Sequence, residues 1–313
     1  MPINNSLKEY VWKDLRNIKQ KDNSGVYDWT GTYYKINSFP SITSETLNSI
    51  NVTEWPYIDD GFRAGSIEWF GFGIAIYLIK KFNYKPLMIE MGASQGLWAC
   101  SWIHCLNRLN ITNKIEAIGY EASPSINETI EFWSDQNFNN FKYIQNNNDL
   151  ICSGDNWEFK WYNNGINYTN DKDYFPDIKC NIDNGANIDN ITEIRESRND
   201  KKILITLKSF IDVIKEYNNC TYLHLDIQGS EKKIFEDKTI NEINNYNIAI
   251  LQIGIHSHEI GHIVKQKMKE LKYILIEEEL CKMNNKYVIR DGEQLWLKTE
   301  IYNILDLNNF WSK

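Results

Sequence analysis

Residues Leu87–Cys100 read "LMIEMGASQGLWAC": an apolar run closing on an acid, a glycine turn, then a segment of helical character. Strand, turn and helix in that order are the opening unit of an α/β sheet, and their polar turn falls where such sheets bind ligands. Glu90 stands at the strand end, Gly92 permits a tight turn, and Gly96 lets the backbone approach a ligand before the helix begins. The spacing is G-x-x-x-G without a following Gly-Lys-[Ser/Thr]. This disfavours both the dinucleotide fingerprint and a phosphate-cradling P-loop.

Outward from this unit the alternation continues. "LWACSWIHCLNRL" (97–109) predicts a helix, "KIEAIGY" (114–120) a second strand, "SPSINETIEFWSDQ" (123–136) a helix and "FKYIQ" (141–145) a third strand. Residues 146–202 form an irregular excursion in which "EFKWY" (158–162) reads as a strand and "KCNIDNGANIDNITE" (179–193) as a polar loop. Regularity returns with "TLKSFIDVIKEY" (206–217, helix), "TYLHLDI" (221–227, strand), "SEKKIFED" (230–237, short helix) and "NIAILQIGI" (247–255, strand). "EIGHIVKQKMKEL" (259–271, helix), "KYILIEEE" (272–279) and "EQLWLK" (293–298) complete the pattern, the last two as strands. The expected class is α/β, an open and mostly parallel sheet with helices on both faces. It occupies residues 85–313 and is preceded by an N-terminal extension, residues 1–84, with a packing or substrate role. In that extension "WFGFGIAIYLI" (69–79) suits a buried helix better than a membrane span.

Bulk properties narrow the function. The 313 residues include 42% hydrophobic and 13% aromatic side chains, enough for a real core. A formal charge of -8 argues against nucleic acid as a partner, because phosphate binding usually leaves a basic footprint. The N-terminal "MPINNSLKEYVWKD" has no apolar signal region, and no membrane contact is expected. The six cysteines show no C-x-x-C pair and read as reduced thiols, so a cytoplasmic protein is expected.

Three strand ends carry polar residues. Glu121 in "AIGYEASPS" ends the second strand, where an acid can bond both hydroxyls of a ribose. In "YLHLDIQGSEKKIFE" Asp226 ends a buried strand and is followed by Gln228, Gly229 and Glu231 around a turn. His256 follows the next strand, and an imidazole there has the ordinary pKa of a general base near neutrality. His104 and His224 read as structural histidines of a helix and a strand.

The stretch "HSHEIGH" (256–262) contains His258-Glu259-x-x-His262, a literal zinc-peptidase pattern. The longer form of that pattern wants Gly at 265 and His at 268, where this chain has Lys265 and Met268. A buried strand also precedes it. The zinc reading is therefore set aside, and the expected metal content is none. Asp226, His256 and His258 are retained as a possible clamp for a divalent cation.

The motifs "MIEMGASQG", "IGYEASPS", "ILITLKSFI" and above all "LHLDIQGSEKKIFE" resemble those of the FkbM-type methyltransferases, over about residues 85–279. The resemblance implies a Rossmann-like class I methyltransferase fold with a seven-stranded sheet, and S-adenosylmethionine as cofactor. It places Glu90, Gly92, Ala93, Ser94 and Gly96 along the methionine side of that cofactor and Glu121 at its ribose. Asn148 and Asp149 fall at the adenine edge, with Asp226 and Gln228 near the sulfonium. Asp226 and His256 are the expected catalytic residues, His256 as base. The acceptor implied is a hydroxyl of a sugar or related small molecule, in a glycan or a natural product. Ser94 and Gln95 depart from the residues common in the family's turn, and Glu90 replaces its usual Asp. The competing enzyme class is a nicotinamide-dependent oxidoreductase of Rossmann type.

Overall fold

The computed structural model describes residues 25–27, 33–35, 57–58, 62–63, 67–93, 96–122, 142–146, 149–176, 202–284 and 287–305. The first described elements are two short hairpins, β1 (Gly25–Tyr27) with β2 (Tyr33–Lys35) and β3 (Tyr57–Ile58) with β4 (Phe62–Arg63). Helix α1 (Ile67–Phe82) leads into β5 (Leu87–Met91), α2 (Leu97–Arg108) and β6 (Ile115–Tyr120). Among the described residues the middle of the chain contributes strands: β7 (Lys142–Asn146), β8 (Asp149–Ser153), β9 (Trp157–Tyr162), β10 (Gly165–Asn167), β11 (Lys172–Pro176) and β12 (Lys202–Ser209). Then follow α3 (Phe210–Glu216), β13 (Tyr222–Leu225), α4 (Glu231–Glu236), a 3-10 helix (Lys238–Asn245), β14 (Ile250–Ile255) and α5 (His258–Glu270). The last elements are β15 (Tyr273–Glu279), the hairpin β16 (Lys282–Asn284) with β17 (Tyr287–Arg290), β18 (Gly292–Lys298) and α6 (Thr299–Leu305).

One sheet organises the molecule, in the order β15-β18-β14-β13-β5-β6-β9-β8-β7. The pairs from β9 through β6, β5 and β13 to β14 are parallel, whereas β18 runs antiparallel to both β14 and β15. Beyond β9 the hairpin β7–β8 adds two strands, so the sheet has nine strands where seven were expected. The seven from β9 to β15 form the doubly wound core; the extra pair extends its edge.

Burial explains the order. Strands β5, β13 and β14 are buried at every position, as parallel strands covered on both faces must be. Toward the edge the pattern becomes alternating in β8 and β9. One core cluster packs α1, α2 and α6 on one face around Phe72, Trp102 and Tyr222; the other lies under α3, α4 and α5. Each fully buried Leu, Ile or Phe of these clusters contributes roughly 1.5–3 kcal/mol. No helix among the described residues is long and apolar enough to cross a membrane.

Two sequence expectations are corrected. The third parallel strand of the core is Trp157–Tyr162, not 141–145. Phe159 and Trp161 give it a large buried face in the α1–α2 cluster, and the 142–146 segment is left to pair at the rim. Residues 206–209, expected to begin a helix, instead end β12, which pairs with β10 and β11, and the helix starts at Phe210. The branched and alternating "KILITL" favours extended chain up to Ser209. The segments 123–136 and 179–193 lie outside the described residues.

Candidate active site at the carboxyl ends of the sheet

The acids expected at strand ends are gathered at the carboxyl ends of β5, β6 and β13. Backbone hydrogen bonds continue the sheet past those ends. The amides of Gly92 and Ala93 both donate to the Tyr120 carbonyl, and the Asp226 amide donates to that of Met91. Gly92 is required here. Its φ is +83°, and a Cβ would stand 1.7 Å from the Asp226 carbonyl oxygen. Its service is thus to bring β5 and β13 together, and the Ala93 amide is spent on the fold. Gly96, also left-handed at φ 70°, caps α2. Ser94 lies outside the described residues.

Glu90 is 2% exposed, and one carboxylate oxygen accepts the Ala99 amide at the start of α2 (3.2 Å). Burial lifts its pKa well above the usual carboxylate range; the Ala99 N–H opposes this, and the negative charges of Asp226 and Glu121 add to it. Glu90 therefore feels both Glu121 and Asp226 across the site. Asn163 ties the β6 end to β8. Its side-chain amide donates to the Glu121 carbonyl (3.0 Å), and its backbone N–H donates to Asp149 (3.3 Å). Asp149 sits in β8 beside that link, and Asn148 lies outside the described residues.

The "DIQGSE" turn is folded by its last residue. The buried Glu231 carboxylate accepts the amides of Ile227 (2.8 Å) and Gly229 (2.7 Å), stapling a corner in which Gln228 and Gly229 both take positive φ. The Glu231 oxygen that takes the Ile227 amide, Oε1, is also 3.3 Å from His256 Nδ1, while His256 Nε2 lies 3.0 Å from Asp226 Oδ1. Gln228 Nε2 donates to that same Asp226 oxygen (3.1 Å). Gly254 makes the arrangement possible, since a Cβ there would reach Asp226 Oδ1 at 3.0 Å and the His256 ring at 3.3 Å.

Burial alone would lower the His256 pKa. Glu231 and Asp226 reverse this and hold it well above its ordinary value, which favours the protonated ring. Its side chain is fully buried, whereas that of Asp226 is 38% exposed and opens to solvent. His256 is therefore packed behind Asp226, which is the one of the two that faces solvent. Burial works against the ionised Asp226, but the bonds and charge of His256 prevail and keep its pKa low.

Asp226, Glu231 and His256 also bring ligand atoms within 4.8 Å of one another, the spacing of a cation site. The carboxylates face different ring nitrogens, however, and the Glu231 oxygens already take backbone amides. The donor set fits an imidazolium between two carboxylates better than a metal. His258 and His262 are exposed on α5, and Glu259 pairs with Lys232. Among the described residues neither histidine belongs to a metal-ligating group, so the zinc pattern and the His258 clamp have no structural counterpart there.

Two residues near the site were missed in the sequence. Asp291 precedes β18 and places Oδ2 3.9 Å from His256 Nε2. Its only local signal is an Asp-Gly step before an apolar run. His224, read as a satisfied core residue, has its Nδ1 buried without a hydrogen-bond partner, while Nε2 is 3.9 Å from Glu293.

No curated protein matches this chain. Among solved structures it is similar to the precorrin-6y C5,15-methyltransferase of Geobacter metallireducens GS-15, at 6% identity and a TM-score of 0.33, over 68% of this chain and 80% of that one. It is also similar to M. jannaschii TYW2 in complex with AdoMet, at 8% identity and a TM-score of 0.34, over 90% and 89%. A third is a putative RNA methyltransferase of Pyrococcus horikoshii, at 10% and 0.31, over 73% and 81%. Likenesses of this size assign no residue. The methyltransferase FkbM domain, by contrast, matches residues 90–275, more than half of the chain, from the acid that ends β5 into β15. This protein belongs to the FkbM methyltransferase family.

Proposed function

We propose that the protein transfers a methyl group from S-adenosylmethionine to a hydroxyl of a sugar or related small molecule. The observation that carries the cofactor is the sign of the site. The negative charges of Asp226 and Glu121 at adjoining strand ends both raise the buried Glu90, which forms no ion pair among the described residues. A pyrophosphate would be repelled there, while a cofactor with a sulfonium and an ammonium would supply the missing positive charge. This favours S-adenosylmethionine over a nicotinamide dinucleotide. When bound, that cofactor supplies an electrophilic methyl for in-line displacement.

The protein's part is alignment and charge. Glu90 and the Gly92–Gly96 turn would hold the amino-acid side of the cofactor, with Glu121 at its ribose and Asp149 near its base. Asn163 fixes the distance between the last two. Asp226, locked by His256 and Gln228, presents a fixed negative charge toward the transferable group. Residues 1–84 and 146–202 would shape the acceptor side. The partly open Asp226 and the net charge of -8 support a small polar acceptor over nucleic acid.

Thermal-shift titration tests the cofactor directly. S-adenosylhomocysteine should raise the melting temperature and NAD should not, with the gain reduced in Glu121→Gln. Stabilisation by NAD alone would reject the assignment. A panel of sugar acceptors with labelled methyl donor then tests the acceptor class.

A further inference from the structure

The antiparallel insertion of β18 has a chemical result. Ile255 pairs with Gly292, so the residue before Gly292 arrives at the carboxyl end of β14, beside His256. That residue is Asp291. Its Oδ2 is 3.9 Å from the same Nε2 that holds Asp226 at 3.0 Å, so one imidazolium faces two carboxylates. The two are not equivalent. Asp226 Oδ1 accepts a hydrogen bond from Gln228 and lies 3.0 Å from His256 Nε2, whereas Asp291 Oδ1 is buried with no hydrogen-bond partner among the described residues and Oδ2 stands 3.9 Å from the ring. The Asp291 side chain is nevertheless 27% exposed, and with Oδ1 buried it is Oδ2 that can be reached from the cleft.

Resting on the methyl-transfer reading above, we infer that Asp291 is the general base that takes the acceptor's hydroxyl proton. The acceptor oxygen attacks the methyl carbon, the O–C bond forms as the C–S bond breaks, and the sulfur keeps the electron pair. The proton passes to Asp291 Oδ2, the carboxylate oxygen on the exposed side, and leaves to solvent from there. The neighbouring groups suit this division. Burial raises Asp291 to about 6, with Asp226 and Glu231 adding to the rise and His256 opposing it; Cys281 is the remaining titratable neighbour. Asp226 is kept ionised and basic only at low pH. Two carboxyls driven apart in this way are the usual sign of distinct roles, and a base titrating near neutrality is the effective one.

The test does not depend on knowing the acceptor. Calorimetry near pH 6, in buffers of different ionisation enthalpy, reads the protons exchanged on ligand binding. S-adenosylmethionine, a cation at sulfur, should release more protons from the wild-type protein than S-adenosylhomocysteine does. The difference should vanish in Asp291→Asn, which should still bind S-adenosylhomocysteine, and return in part in Asp291→Glu. Equal release for both ligands, or a difference that persists in Asp291→Asn, overturns the inference. Absence of binding by either ligand to the wild type instead overturns the cofactor reading beneath it. On any acceptor found active, Asp291→Asn should lower kcat by ~10²–10⁴-fold and remove the acid limb of its pH profile, with little change in KM; an intact limb counts against it.

Discussion

His224 and His256 stand at neighbouring places in adjacent strands, and the sheet treats them in opposite ways. His224 lies in β13 under the edge of the Trp98 ring, with centroids 5.8 Å apart, and burial lowers its pKa against a modest pull from Asp226. His256 lies just past β14 between Asp226 and Glu231, which override the same burial. Two histidines of similar burial thus differ in charge because of their carboxylate neighbours, and burial alone decides neither role.

The contrast breaks most readily at His256. His256→Ala leaves Glu231 fully buried and Asp226 partly buried without their shared cation. A loss of ~3–5 kcal/mol is expected in denaturant unfolding. His224→Ala, removing a neutral ring, should cost clearly less. Equal losses would mean that the His256 ring is not the keystone of the acid cluster.

A second strike leaves both histidines in place. In Gly92→Ala the added methyl must displace the Asp226 carbonyl, 1.7 Å away, and so move Asp226 relative to His256. About 1–3 kcal/mol of stability should be lost, in line with forced overpacking. Nitrogen NMR should show His256 titrating at lower pH than in the wild type, with His224 little changed.

The smallest effects are in pH. His224, whose pKa is depressed, contributes stability that is present above its unfolded value of roughly 6.5 and lost as pH falls through the folded value. For His256 the sign is reversed: its contribution is full below roughly 6.5 and lost only as pH rises through the elevated folded value. His224→Gln should therefore flatten the acid side of a stability–pH curve, and His256→Gln the alkaline side. A variant that flattens the wrong side disproves its assigned charge.

Much of this was legible in the sequence. The acid-turn-helix at Glu90 and the "LHLDIQGSE" run pointed to the fold class and to Glu90, Glu121 and Asp226 at neighbouring strand ends, because short apolar runs closing on an acid and glycine turns are local signals. What failed was non-local. Strands 142–146 and 157–162 both look extended, and only the packing of Phe159 and Trp161 decides which one joins β6. The charge on His256 depends on Glu231, 25 positions earlier, and Asp291 reaches the site only through the strand order. A motif shows which residues stand at a turn, not which of them will be the cation.

The place of β18 bears on how the chain is made. It enters between β14 and β15, so while residues 292–298 are still within the ribosome the β14 edge has no permanent neighbour. That edge is an apolar strand with unpaired backbone groups, the kind that attracts other chains. The residues that complete the acid cluster are therefore also those that close the sheet. Premature release of the nascent chain should yield an aggregation-prone species with no reactive centre, not a weakened enzyme.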